Sequence, residues 1–492
     1  MPDPSFDLLI RGGTVYDGTG GQGVRADLGL RDGRIAAIGA LDGKAQTVIN
    51  ASGLAVSPGF IDVHAHDDGA VLTTPMDFKL MQGVTTDIVG NCGAGIAPRD
   101  PARPPFPGSE LVLGEVPDAR WESFGEYMDA VGRADLAINV GCFVPHGAVR
   151  YKHLGLDRRP PDVGELAAMS EDVAGGMAAG ALGLSTGLIY PPGAFAETEE
   201  IIELAKAAAS AGGIYMSHIR DEADYLLDAV AEAIRIGREA GLPVEISHHK
   251  SSGEANYGMT KDSIALIEEE RAGGLDVTWD AYPYTAASTL LAVMARRPEG
   301  ATADVVMVAS VAKHREYEGK MINEIAAMLG VDPEAALAQV LADEPMATGI
   351  FFVMDEEDVR RVLAHPLCMI GSDGIPSRTG KPHPRLYGTF PRVLGEYCRD
   401  QKLFPLEEAI RKMTSLPARR MNLRDRGELR EGFAADVVVF DTALIADRAT
   451  YQEPRQYPAG IEYVIVNGQI AAERGKQKTT RAGRLLRRNE RN

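Results

Sequence analysis

The chain has 492 residues, of which 45% are hydrophobic and 25% charged, with 54 glycines and 29 prolines. These proportions exclude collagen-like, disordered and disulfide-scaffold proteins, and the length predicts about two to four domains, or one barrel with attached segments. Lysine and arginine number 51 against 70 aspartates and glutamates, which gives a net charge of −19 at pH 7. That charge argues against nucleic acid as a partner and against docking on an anionic membrane.

The cysteines and the N-terminal sequence bear on the cellular compartment. Cys92, Cys142, Cys368 and Cys398 form no CxxC pair or other paired framework, which is typical of a protein from a reducing cytoplasm. The first residues, MPDPSFDLLIRGG, lack the basic and apolar regions of a signal peptide, and no apolar run approaches the roughly 20 residues of a membrane span. We therefore expect a cytoplasmic protein with no membrane partner.

Strand-like sequence at both ends of the chain predicts a small β domain. Alternating residues and glycine-containing turns occur up to residue 57, and the same pattern returns after residue 427. We expect residues 1–57 and 427–480 to form one composite β-sandwich domain, with two independent β modules as the alternative. Residues 481–492 form a basic tail that we expect to be frayed and solvated.

Between these ends, eight apolar runs alternate with amphipathic segments. The runs occupy residues 59–66, 83–93, 134–147, 180–190, 212–222, 242–253, 275–285 and 366–374. Eight such runs favour the α/β class, with a (β/α)₈ TIM-like barrel over residues 58–426 and its chemistry at the C-terminal strand ends. A doubly wound open sheet is the alternative. Residues 290–345 interrupt the alternation, and we expect a helical insertion there that forms a lid over the barrel mouth.

Metal-ligating residue types stand at the ends of several runs. His64 and His66 close the first run two positions apart, so both imidazoles point to the same face of a strand. Cys92 closes the second run in IVGNCG, and His218 closes the fifth in GGIYMSH. Since strand ends of a barrel meet around one mouth, these side chains are expected to converge.

Two later runs add further candidates. His248 and His249 close the sixth run, where alternation lets only one face the barrel axis; we favour His248, with His249 as the alternative. Asp373 closes the eighth run in CMIGSDG. The chain has only ten histidines, yet five lie at three strand ends, which favours a metal site over buried structural histidines. Imidazole combined with thiolate favours Zn²⁺ over Mg²⁺ or Ca²⁺.

These residues resemble the amidohydrolase superfamily, in which PGFIDVHAH is followed by two single histidines and a late SDG aspartate. Within it, the chain is similar nearly from end to end to the N-acyl-D-amino-acid deacylases, or D-aminoacylases. The similarity is carried by GVTTDIVGNCGAGIAP, GALGLSTGLIYPPG, SHIRDE, ISHHK, DAYPYTAAST, GSDG, HPRLYGTFPRVLGEY, MTSLPARRMNL and GELREGFAADVVVFD. It implies zinc-dependent hydrolysis of N-acyl-D-amino acids to a carboxylate and a free D-amino acid.

The resemblance also implies one tight zinc site and a second, weaker position. The tight site would be formed by Cys92, His218 and His248. The weaker position would be formed by His64, His66 and Asp373, and Asp373 would also serve as general base and then general acid. In hydantoinase- and dihydroorotase-like relatives a carboxylated lysine bridges two metals. The fourth run, GALGLSTGLIY, has no lysine, so Cys92 would take the bridging place.

By the same resemblance, cationic and hydroxyl groups bind the α-carboxylate of the substrate. The candidates are Lys250, Arg378, Tyr282, Tyr190 and Ser288. Arg296 stands where the insertion begins; pointing into the pocket, it would favour N-acyl-D-glutamate or N-acyl-D-aspartate. The only partner expected is this small molecule, and an oligomer is compatible with the sequence.

Two other functions compete with amide hydrolysis of linear substrates. A cyclic-amide hydrolase of the hydantoinase or dihydroorotase type is the alternative enzyme, and the absent lysine and the NCG cysteine speak against it. A metal-free scaffold descended from this fold should lack several ligands, whereas this chain keeps all of them.

Overall fold

The eight apolar runs in the middle of the chain form parallel strands. The computed structural model describes residues 5–105, 112–114, 116, 119–294, 303–377 and 379–488, and in it these strands are buried. Burial on both faces explains why the runs are apolar throughout rather than alternating. The strands are β6 (Phe60–Asp62), β7 (Val84–Val89), β8 (Asn139–Cys142) with its continuation β9 (Val144–Pro145), β10 (Gly183–Gly187), β11 (Ile214–His218), β12 (Val244–Ile246), β13 (Val277–Ala281) and β17 (Cys368–Ile370).

These strands follow one another around a barrel. β6, β7 and β8 form one parallel sheet, and β9 to β13 with β17 form another, so the strand made of β8 and β9 belongs to both. The first and last strands meet just beyond their ends, where Ala65 pairs in parallel with Gly374 and the Asp373 amide donates to the His64 carbonyl at 2.7 Å. The strand order of a (β/α)₈ barrel is thereby established.

Helices between the strands pack on the outside of the barrel. Helix Val163–Ala178 begins with a capping box, in which Asp162 accepts from the Glu165 amide while Glu165 accepts from the Asp162 amide. Helix Leu226–Ala240 ends at Gly241, whose φ of 76° suits glycine. The other helices are Ala70–Thr73, Asp77–Leu80, Phe124–Arg133, His146–Leu154, Thr198–Ser210, Thr260–Ala272, Glu356–Ala364, Arg385–Arg392 with a π-helical continuation over Val393–Asp400, Leu406–Met413 and Ser415–Arg420.

Both ends of the chain contribute to one nine-stranded sheet. Its strands are β1 (Phe6–Val15), β2 (Val24–Arg31), β3 (Arg34–Gly39), β4 (Ala45–Asn50), β5 (Ala55–Pro58), β18 (Val437–Phe440), β19 (Ile461–Val466), β20 (Gln469–Glu473) and β21 (Lys476–Gln477). The N-terminal and C-terminal parts join where β18 pairs antiparallel with β5. The sheet has its own cluster of buried apolar side chains, which includes Leu28, Val56 and Val437.

The insertion between β13 and β17 contains strands as well as helices. β14 (Ala287–Leu290), β15 (Val306–Ser310) and β16 (Thr348–Phe351) form an antiparallel sheet with β16 in the centre. The helices of this segment are Leu291–Met294, Ile322–Leu329 and Pro333–Asp343. The helical insertion that we expected over 290–345 thus contains helices and also strand β15, and β14 and β16 flank it and complete the sheet.

Residues 481–488 of the basic tail pack on the barrel. The Leu486 amide donates to the Val140 carbonyl at 2.7 Å, and the Leu486 side chain is fully buried beside barrel residues such as Ile61 and Phe143. The expected solvated tail is thus a misreading of residues 481–488, because two leucines between the arginines supply an apolar anchor.

Among the described residues, no single helix is long and apolar enough to cross a membrane. Only Ile322–Leu329 and Pro333–Asp343 reach that length and hydropathy together, as a pair bent by 92°.

Candidate metal centre

The predicted ligands all lie at the C-terminal mouth of the barrel. His218 is the last residue of β11, while the others follow β6, β7, β12 and β17 within a few residues. Cys92, His248 and Asp373 adopt φ values of 53°, 35° and 49°, a region that residues other than glycine rarely occupy. Such local strain persists only where the surroundings hold it, and it clusters at functional sites.

Four of these side chains bring their donor atoms together. Cys92 Sγ lies 3.2 Å from His64 Nε2 and 3.5 Å from His248 Nε2. Asp373 Oδ1 lies 3.0 Å from His66 Nε2 and 3.5 Å from His64 Nε2. The donor atoms of His64, Cys92, His248 and Asp373 all lie within 4.8 Å of one another, which is close enough to share an ion.

His218 stands at the edge of this group with unused donors. Its ring centroid lies 4.3 Å from that of His248, and both of its ring nitrogens are buried without a hydrogen-bond partner. A buried polar atom without a partner costs about 1–3 kcal/mol, so native proteins rarely leave two on one ring. Either ring nitrogen of His218 is available to coordinate a metal ion, and His218 therefore fits a metal site.

The electrostatics also suit metal ligation. Burial lowers the pKa of His64 to about 3 and lowers the pKa values of His218 and His248, so all three rings are neutral near pH 7 and can coordinate. Burial and nearby Asp373 raise the pKa of the Cys92 thiol, so a bound cation is needed to hold it as a thiolate. Imidazole, thiolate and carboxylate together suit a divalent first-row transition ion.

Asp373 itself is held as a carboxylate. Burial favours its neutral form, but Arg385 and the neighbouring histidines outweigh burial and place the pKa of Asp373 well below its ordinary value. Arg385 Nη1 lies 2.9 Å from Asp373 Oδ2, and its guanidinium is almost fully buried. Arg385 was not among our candidates, although it stands in the HPRLYGTFPR segment that carried the resemblance.

Two further carboxylates touch the histidines and were also missed. Asp280 Oδ2 lies 3.3 Å from His64 Nδ1, and Asp280 Oδ1 accepts from the His248 amide at 3.0 Å. Glu222 Oε1 lies 3.0 Å from His248 Nδ1. The available sequence signals were their positions, at the end of β13 and in SHIRDE, among other polar residues.

The predicted substrate-binding residues surround the same mouth. Lys250 Nζ lies 2.6 Å from Glu222 Oε1 and 5.6 Å from the centre of the Tyr282 ring, while Arg385 covers that ring at 4.6 Å. The Tyr282 hydroxyl is buried without a partner. Tyr282 thus lies close to two cations, and its hydroxyl hydrogen is free to be donated.

Two other candidates lie on the adjacent wall of the site. The Tyr190 hydroxyl accepts from Thr289 Oγ1 at 3.0 Å, and the Ser288 carbonyl accepts from Arg385 Nη2 at 3.0 Å. Arg378 and Arg296 lie outside the described residues. His249, the alternative to His248, lies 2.9 Å from Ser263 Oγ and away from the ligand cluster.

A cavity of about 330 Å³ opens from the ligand cluster. Its polar wall includes His66, Cys92, Tyr190 and Asp373, and Ser288 and Thr289 contribute from β14 of the insertion. The rest of the described lining is largely apolar and includes Val112, Leu113, Leu156, Pro191, Pro192, Leu290, Val293, Met346 and Ile375. The cavity is therefore polar next to the ligand cluster and apolar over the rest of its lining, which we call the apolar chamber. Such a combination is common in small-molecule sites.

Comparisons with known proteins agree with this architecture. A profile described as the amidohydrolase family matches residues 47–472. D-aminoacylase of Alcaligenes xylosoxydans xylosoxydans is 45% identical over 98% of this chain and 97% of its own length. A D-aminoacylase structure described for its binuclear metal centre, with activation by one metal and attenuation by the second, has a TM-score of 0.92 and 44% identity over 98% of this chain and 100% of its own.

A third match is the structure of a complex with zinc and an inhibitor. The crystal structure of N-acyl-D-glutamate deacylase from Bordetella bronchiseptica, complexed with zinc and a phosphonate mimic of the tetrahedral intermediate, has a TM-score of 0.92. It is 41% identical over 98% of this chain and 99% of its own. The profile, the relative and the shared barrel agree, and the chain belongs to the amidohydrolase family, in its branch of D-aminoacylases and related N-acyl-D-amino-acid deacylases.

Proposed function

We propose that this protein hydrolyses the amide bond of N-acyl-D-amino acids in a zinc-dependent reaction, releasing a carboxylate and a free D-amino acid. The observation that carries the proposal is the convergence of Cys92, His248, His64 and Asp373 at one barrel mouth, with Arg385 and Lys250 beside them. The zinc-bound deacylase and the D-aminoacylase relative support the same chemistry.

The donor set would hold zinc in two unequal positions. Cys92, His218 and His248 would form the tight site, because a thiolate and two imidazoles are preferred zinc ligands. His64, His66 and Asp373 would form a weaker one. When bound, zinc polarises the amide carbonyl and lowers the pKa of a coordinated water.

Asp373 would move the proton in this reaction. Its low pKa keeps the carboxylate ionised near pH 7, so an Asp373 oxygen can accept a proton from the attacking water. The same group can then donate that proton to the leaving amine nitrogen. Arg385, 2.9 Å from Asp373 Oδ2, would hold the carboxylate in one orientation throughout.

The free carboxylate of the substrate would bind around Tyr282. Lys250 and Arg385 both place positive charge next to the Tyr282 ring, and the Tyr282 hydroxyl has a hydrogen to donate. A chain with a net charge of −19 repels an anion at long range, so these nearby cations must supply the local attraction. Arg378, which lies outside the described residues, remains a predicted contributor.

The apolar chamber favours an apolar substituent on the substrate. Leu290, Val293 and Met346 would contact a D-leucine, D-methionine or D-phenylalanine side chain, or a longer acyl group. Arg296, which lies outside the described part of the chain, is predicted to select acidic side chains instead. The two predictions differ in whether N-acyl-D-leucine or N-acyl-D-glutamate is hydrolysed faster.

The test is a release assay on zinc-loaded protein over N-acetyl D- and L-amino acids with leucine, methionine, glutamate and aspartate side chains. We expect turnover of the D-series, with leucine and methionine ahead of glutamate. Metal analysis of the same preparation should find zinc. Failure to release any D-amino acid from zinc-loaded protein would overturn the proposal, and faster release of glutamate, lost in Arg296→Ala, would favour the acidic preference.

A further inference from the structure

Glu222 lies between a proposed metal ligand and a buried lysine. It follows β11, and its backbone carbonyl accepts from the Ser252 amide at 2.7 Å, which anchors it to the neighbouring loop. Its Oε1 atom lies 2.6 Å from Lys250 Nζ, 3.0 Å from His248 Nδ1 and 3.9 Å from His218 Nε2. One buried oxygen therefore contacts three side chains of the site.

The two nitrogens of His248 face different surroundings. His248 Nε2 points to Cys92 Sγ and the other donors, whereas Nδ1 points to Glu222 and Lys250. A ring nitrogen coordinates a metal only when it carries no proton, so Nε2 ligation requires a neutral ring with its hydrogen on Nδ1. That Nδ1 hydrogen needs an acceptor, and Glu222 Oε1 is a carboxylate oxygen 3.0 Å away.

Lys250 can oppose this arrangement. Its ammonium has only hydrogens to offer and lies 2.7 Å from His248 Nδ1. A hydrogen bond from Lys250 to Nδ1 would place the ring proton on Nε2 and close that nitrogen to a metal. The same ammonium lies 2.6 Å from Glu222 Oε1 and neutralises that carboxylate. The group formed by His218, Glu222 and His248 therefore does not require a separate metal ion.

We propose that Glu222 is a positioning residue that sets the tautomer of His248. It accepts the Nδ1 hydrogen and binds the Lys250 ammonium, so that Nε2 stays free to coordinate. This inference rests on the zinc site of the proposed function, and it assigns to Glu222 a share of the zinc affinity. Carboxylates that orient histidine ligands in this way typically contribute 10- to 100-fold to metal affinity.

Two double variants isolate the acceptor without leaving an unpaired charge. Glu222→Gln with Lys250→Met keeps an oxygen that can accept from Nδ1, whereas Glu222→Leu with Lys250→Met does not. Zinc affinity is measured by competition with a chelator, and circular dichroism checks that each protein is folded. We expect the glutamine variant to bind zinc at least tenfold more tightly; equal affinities would overturn the proposal.

The single variant Glu222→Gln tests the competition from Lys250. With the carboxylate gone, the ammonium is free to donate to His248 Nδ1, so zinc affinity should fall 10- to 100-fold and recover when Lys250→Met is added. Glu232→Gln is the matched control, since Glu232 is a carboxylate paired with Arg220 that is not in contact with His248. Unchanged affinity in Glu222→Gln, or no recovery in the double variant, refutes the role. Wild-type protein that binds no zinc would instead refute the proposed metal site.

Discussion

Replacing Asp373 with asparagine separates proton transfer from metal binding. The substitution keeps the shape of the side chain but removes the negative charge and the basic oxygen. General acid–base catalysis by one side chain contributes about 10²–10⁴ in rate, or roughly 3–6 kcal/mol of barrier at about 1.4 kcal/mol per factor of ten. We expect kcat on N-acetyl-D-leucine to fall by about that factor.

Zinc at the tight position should remain in Asp373→Asn. Cys92, His218 and His248 come from other strand ends, and the carboxylate oxygens of Asp373 lie within 3.6 Å of His66, His64 and Arg385. Zinc content after dialysis and the apparent zinc affinity should therefore stay close to those of wild type.

The substitution also leaves the buried Arg385 without its carboxylate partner, which destabilises the fold by about 3–5 kcal/mol in comparable cases. Asp358→Asn is a suitable control, because Asp358 is a buried partner of Arg361 outside the ligand cluster. It should lose stability in urea unfolding and keep kcat within a few-fold. Asp373→Asn with zinc bound and kcat within tenfold of wild type would refute the assignment of Asp373 as the proton carrier.

Three further predictions concern the tail, an ion pair and the substrate carboxylate. Leu486→Ala removes a fully buried side chain from the barrel, so urea unfolding should show a loss of about 3–5 kcal/mol, and a loss below 1 kcal/mol would mean that the tail is dispensable. Although burial opposes ionisation of Glu200, His146 and Arg150 hold the pKa of this carboxyl below its ordinary value. Ionised Glu200 therefore stabilises the folded protein fully above the pKa of an unfolded glutamate, about 4.3, and this stabilisation is lost as the pH falls through the lower pKa of Glu200 in the folded protein. Glu200→Gln should therefore lower the free energy of unfolding by about 3 kcal/mol at pH 7. If the difference in free energy of unfolding between this variant and wild type does not become smaller in acid, the ionised Glu200 side chain is not the source of the stability. Tyr282→Phe removes a hydroxyl that has no partner in the protein, so stability should not fall, whereas KM should rise about tenfold if the hydroxyl donates to the substrate carboxylate; an unchanged KM would exclude that contact.

Residue order along the chain was enough to predict the barrel and the side chains that meet at its mouth. Each ligand follows an apolar run, and in a parallel barrel all such runs end at the same mouth. His64, Cys92, His248 and Asp373 could therefore be expected together without any knowledge of distance. The tail was misjudged because its arginines dominate the composition, while two leucines determine its packing.

What the sequence determined by itself was the fold class, the family and the residue types that stand at the strand ends, since these depend on local motifs and on the pattern of apolar strands and polar strand ends. The tertiary structure alone decided which side chains surround the ligands. The contacts of Arg385 with Asp373, Glu222 with His248 and Asp280 with His64 join residues that are 12, 26 and 216 positions apart in sequence. Their contacts depend on how loops from different strands meet in space, and no local pattern in the sequence encodes such a distance.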